Sequence, residues 1–86
     1  MARKNYSKMY EKQNNKLKFL SDYGFELVGK LFPAWIYTYQ DGETLEIQYI
    51  GNGLIRMTLR NNGNYLSKVF DSPKKVHQFI DETISD

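Results

Sequence analysis

Few side chains in this 86-residue chain carry catalytic potential. His77 is the only histidine and cysteine is absent, which leaves no thiolate and no set of three convergent ligands for zinc. Ser7, Ser21, Ser67 and Ser72 stand near turns or expected helix ends, and none sits in a G-x-S-x-G elbow. The pairs Glu43 with Glu46 and Asp81 with Glu82 border a turn and a terminal helix, where water keeps carboxylates ordinary rather than poised for acid-base work. The glycines at 51, 53 and 63 lack the strand, loop, helix order that cradles phosphate, so they read as turn residues. These residues point to a protein that binds rather than one that catalyses. Neither a metal nor a cofactor is expected.

Binding chemistry is easier to find. Lys8, Lys12 and Lys16 recur at i, i+4 spacing within a segment whose only acid before residue 20 is Glu11. Such a cationic run suits a polyanion, nucleic acid first and an acidic protein second. Arg56 and Arg60 alternate with Thr58, and with Lys68 they make a second basic set suited to phosphates and base edges. Phe19 and Tyr23 fall outside the apolar arc of the first helix, beside Lys12 and Lys16, as possible aromatic contacts; the alternative is that the helix sinks deeper there and buries them. Trp35, Tyr37 and Tyr39 have the makings of a stacking platform for single strands, unless strand register turns them inward.

The elements that would hold these groups follow from periodicity. Tyr6, Met9, Tyr10, Gln13, Leu17 and Leu20 share one helical arc, which predicts a helix over 6–23 stopped by Gly24 in a left-handed conformation. From Phe25 to Phe70 the period drops to two, with Asp41-Gly42, Gly51-Asn52-Gly53 and Asn61-Asn62-Gly63-Asn64 as punctuation. That predicts an antiparallel meander with strands at 25–31, 34–40, 43–50, 54–60 and 64–70. Asp71-Ser72-Pro73 then opens a short helix, with Ser72 or Asp71 as its cap, whose stripe is Val76, Phe79, Ile80, Thr83 and Ile84, with His77 on its flank.

Register decides what faces outward. A three-residue loop at 51–53 sets Tyr49 against Ile55 and Ile47 against Met57, and a three-residue Gln40-Asp41-Gly42 loop with a glycine bulge sets Tyr37 against Leu45 and Trp35 against Ile47. One apolar face results, with the aromatics inside. The opposite face then carries Thr38, Glu46, Gln48, Arg56, Thr58, Arg60 and Lys68. The expected fold class is α+β: an N-terminal helix, a five-stranded meander and a C-terminal helix, both helices on one face of the sheet, in a single domain with residues 1–5 as a flexible basic tail.

No apolar run serves as a signal h-region or membrane span, so a soluble cytoplasmic protein without a membrane partner is expected. The lysine excess over arginine and the frequent asparagine fit an AT-rich genome, such as a low-GC bacterium, a phage or a mobile element. The stretch Val69-Phe70-Asp71-Ser72-Pro73-Lys74-Lys75-Val76 resembles the strand-to-helix step of the small three-stranded DNA-binding domains at the front of tyrosine integrases. It carries no functional residue over. Two functions are therefore in view: a small non-enzymatic nucleic-acid-binding protein, or a protein-binding module such as a phage or mobile-element inhibitor or adaptor acting on a host protein.

Overall fold

The first helix, α1, spans Ala2–Lys16 and is strongly polar along its length. The computed structural model describes residues 2–30 and 32–84, with side chains from residue 8 onward, so the side chains of Arg3, Lys4 and Tyr6 lie outside the described set. A continuous α-helix to residue 23 does not form. At Leu17 the chain tightens into a 3₁₀ helix, Lys18–Tyr23, with Leu17 N–H donating to the Asn14 carbonyl at 3.1 Å and Leu20 N–H to Leu17 at 3.0 Å. Three residues per turn put Leu17 and Leu20 in one line, and both are fully buried. Gly24, at φ 98°, ends this segment as the left-handed cap, and Phe25 N–H closes back on the Leu20 carbonyl at 3.1 Å.

Five antiparallel strands follow in one open sheet of order β1-β2-β3-β4-β5: β1 Glu26–Val28, β2 Ala34–Thr38, β3 Thr44–Gly51, β4 Leu54–Asn61 and β5 Asn64–Phe70. β1 is shorter than its apolar run suggests. Gly29 turns the chain at φ 111°, and a side chain there would meet the Pro33 backbone at 3.2 Å.

The first two long hairpins adopt the expected register, with Trp35 opposite Ile47, Tyr37 opposite Leu45, Ile47 opposite Met57 and Tyr49 opposite Ile55. At 39–43 the predicted loop forms as a type I turn plus glycine bulge: Gly42 N–H donates to the Tyr39 carbonyl at 3.0 Å and Tyr39 N–H to Glu43 at 2.8 Å. The loop at 51–53 reaches the same register by another route. Asn52 and Gly53 both take positive φ, 55° and 76°, as a two-residue turn, and a bulge between Tyr49 and Gly51 absorbs the odd residue. The Tyr49 hydroxyl accepts the Gly53 N–H at 3.1 Å and holds that turn.

The third hairpin departs from expectation. Asn62 and Gly63 form a two-residue turn at φ 50° and 84°, so Asn61 faces Asn64, Met57 faces Lys68 and Ile55 faces Phe70. A one-residue change of loop length turns every β5 side chain over. Tyr65, Ser67 and Val69 join the polar face, while Leu66, Lys68 and Phe70 lie on the apolar one. Burial selects this register, since it places Phe70 at 7% exposure beside Ile55.

The last helix, α2, spans Pro73–Thr83, capped by the Ser72 side chain, which accepts the Lys75 N–H at 3.3 Å. Leu17 and Leu20, together with Val76 and Ile80 of α2, enter one buried cluster with Phe25, Trp35, Leu45, Ile47, Tyr49, Ile55, Met57 and Phe70. Trp35 is 6% exposed, and Tyr37 and Tyr39 are half-buried against the same cluster, which leaves no stacking platform there.

Candidate functional site

The polar face of the sheet is built from alternate residues of β3, β4 and β5. In β4 the period of two sends Arg56, Thr58 and Arg60 to this face while Ile55, Met57 and Leu59 point inward. Ladder pairing sets Arg56 between Gln48 and Val69, Thr58 between Glu46 and Ser67, and Arg60 between Thr44 and Tyr65. The result is a shallow concavity of about 480 Å³ lined by Arg56, Thr58, Arg60, Tyr65 and Ser67.

Its electrostatics are cationic at both ends. Arg60 lies 3.7 Å from the Glu46 carboxylate, a loose and largely hydrated pair that contributes little. Arg56 donates to the Gln48 side-chain oxygen at 3.1 Å, a neutral partner, and Gln48 in turn donates to the Phe32 carbonyl at 2.9 Å. Arg56 is thereby tied to a neutral partner, while Arg60 is only loosely paired. Thr58, at 6% exposure, forms the floor, and Tyr65, at 71%, is a free aromatic wall beside Arg60. Such a surface has guanidinium donors for phosphate, two hydroxyls for further hydrogen bonds, and a flat ring for stacking.

Tyr65 and Ser67 were not anticipated at this surface, and Lys68 was. The expected neighbour of the arginines lies instead on the apolar side, its ammonium 5.3 Å from the Phe70 ring and 5.5 Å from that of Phe79. The Asn62-Gly63 pair was the available signal, because it favours a two-residue turn and hence this register.

Lys8, Lys12 and Lys16 are exposed along α1. They do not join the arginines in one patch: α1 is anchored through Tyr10, whose ring meets that of Tyr49 edge-on at 5.2 Å, and Tyr49 belongs to the apolar face. Phe19 and Tyr23 turn from the lysine flank toward α2. Phe19 stacks on the His77 ring at 4.3 Å, and the Tyr23 hydroxyl donates to Asp81 at 3.0 Å and lies 3.2 Å from His77 Nε2. Loss of surrounding water, then the Asp81 carboxylate and its hydrogen bond, push the Tyr23 hydroxyl above its ordinary value, the opposite of what a tyrosine nucleophile needs. The cluster ties the 3₁₀ helix to α2.

Among the described residues no group of three or more His, Cys, Asp and Glu is placed to hold a metal ion, and no helix is long and apolar enough to cross a membrane. Comparisons with protein-family models, with curated proteins and with solved structures give no match to this chain.

Proposed function

We propose that this is a non-enzymatic nucleic-acid-binding protein whose main contact is the polar sheet face. The observation that carries the reading is the concavity in which Arg56 and Arg60 flank Thr58 and Ser67, with the exposed Tyr65 ring at one side. Arginines would take phosphates, and Tyr65 would stack on an unpaired base, so the preferred ligand is single-stranded. Lys8, Lys12 and Lys16 would add phosphate contacts from α1 without sharing the same groove.

The test is retardation of a single-stranded oligonucleotide by the full chain. Affinity should fall steeply with salt, and the Arg56→Ala/Arg60→Ala double variant should bind weakly with a salt slope reduced by about two phosphate contacts. Tyr65→Ala should cost roughly 1–3 kcal/mol of binding with the salt slope unchanged. No retardation of DNA or RNA at low salt refutes the reading.

A protein-binding module is the second reading, and β5 favours it. Tyr65, Leu66 and Val69 are all exposed along this edge strand, at 71, 64 and 52%.

A further inference from the structure

We propose that the β5 edge pairs with the β5 edge of a second copy of this chain, antiparallel, with Ser67 on a two-fold axis perpendicular to the sheet. The proposal goes beyond nucleic-acid binding and does not depend on it. β5 ends the sheet, and its ladder with β4 runs without a bulge from Asn61 opposite Asn64 to Ile55 opposite Phe70. Neither proline nor a bulge interrupts this edge, and Lys68, the one charge that could guard it, lies over two rings on the apolar side.

The register follows from which backbone groups are free. A two-residue loop closes on a hydrogen-bonded pair, here Asn61 with Asn64, and bonded pairs then alternate along the ladder. Asn64, Leu66, Lys68 and Phe70 thus spend their N–H and C=O groups on β4. Those of Tyr65, Ser67 and Val69 point outward. With Ser67 on the axis, Tyr65 meets the second copy's Val69, Ser67 meets its own counterpart, and every outward group of the strand is used. The same register forms two aromatic–β-branched pairs, a favourable combination across strands.

Neighbouring registers are worse for identifiable reasons. Centring on Lys68 sets two ammonium groups directly opposite each other, and centring on Leu66 leaves Val69 against a glycine. Centring on Ser67 puts the exposed Leu66 across from the second copy's Lys68. There a groove of about 530 Å³ opens between β5 and α2, with Lys68, Phe70 and Phe79 in its lining. Each copy thus sets its exposed Leu66 at the other's groove, whose lining combines Leu54, Phe70 and Phe79 with a charged rim of Asp71, Lys75 and Glu82. An axis perpendicular to the sheet also leaves Arg56 and Arg60 of both copies on one continuous face.

Sedimentation equilibrium of the nuclease-treated full chain tests this, together with amide hydrogen exchange. The expected mass is twice 10.2 kDa, with the Tyr65, Ser67 and Val69 amides protected in the dimer. Ser67→Lys, which sets like charges across the axis, should abolish the dimer while Trp35 emission stays unchanged, and Thr38→Lys, on the same face but away from the edge, should leave it intact. A mass of one chain at every concentration overturns the proposal, as does a dimer whose Tyr65, Ser67 and Val69 amides exchange freely. A folded Ser67→Lys variant that still dimerises overturns it too. Loss of nucleic-acid binding in the arginine double variant with an unaltered mass would separate the two readings.

Discussion

Tyr23 illustrates how an apparent surface feature becomes a structural one. Read along α1 it is an aromatic among lysines, but its hydroxyl lies between Asp81 and His77 of α2. Because the neutral hydroxyl is the form that donates to Asp81, the folded state holds its proton to higher pH than the unfolded chain, where tyrosine ionises near its ordinary 10.0. The stabilisation is complete below pH 10.0 and is lost as pH rises through the raised folded value. Thermal unfolding of the wild type should therefore drop more steeply above pH 10.0 than that of Tyr23→Phe, which has no proton to lose there. Parallel alkaline profiles for the two proteins would contradict this. Tyr65 is the converse case, a tyrosine left in water beside Arg60, and the contrast between these two rings separates a structural aromatic from a candidate contact.

Among the elements, the third hairpin carries the most functional consequence for the fewest residues. Asn62 and Gly63 both occupy the left-handed region, and this lets the turn follow the twist of β4 and β5. No atom lies within 4 Å of a side chain placed at Gly63, so Gly63→Ala costs only the backbone strain, about 1–2 kcal/mol in chemical denaturation. Insertion of one residue between Asn64 and Tyr65, with the Asn62-Gly63 turn kept, should do more. It would turn β5 over, bring Lys68 beside Arg56 and expose Phe70. The bulge before Gly51 is the complementary device, because it permits an Asn-Gly turn without letting Tyr49 and Ile55 leave the apolar face.

At the scale of the whole molecule, one buried cluster links the 3₁₀ helix, the sheet and α2, and Trp35 lies within it. Its emission should be blue-shifted, resist acrylamide quenching and stay unchanged when an oligonucleotide is added. Red-shifted emission that responds to oligonucleotide would mean that the indole is part of a binding surface. With Trp35 in the cluster, the proposed contacts lie on the opposite face and at the β5 edge. The chain thus divides its aromatics by side of the sheet: Trp35, Tyr37 and Tyr49 on one, Tyr65 on the other.

Read on its own, the amino-acid order determined the α+β class, the five strands, the Gly24 stop, the start of the last helix at Asp71-Ser72-Pro73 and the registers of the β2-β3 and β3-β4 hairpins. In each of these a local rule pointed one way: the register had to keep Trp35, Ile47 and Met57 on the same side, and at 51–53 the chain met that demand with a two-residue turn and a bulge in place of the expected three-residue loop. Tertiary structure decided the rest. Helical periodicity put Leu17 and Leu20 on one face, where both are buried, but it did not show that the chain tightens into a 3₁₀ helix from Lys18. For the run Asn61-Asn62-Gly63-Asn64, the Asn-Gly pair favours a two-residue turn without excluding a three-residue loop, and packing of Phe70 against Ile55 and Phe79 settles the choice. That selection put Tyr65 and Ser67 beside the arginines and took Lys68 away, because in a strand a shift of one residue exchanges the two faces.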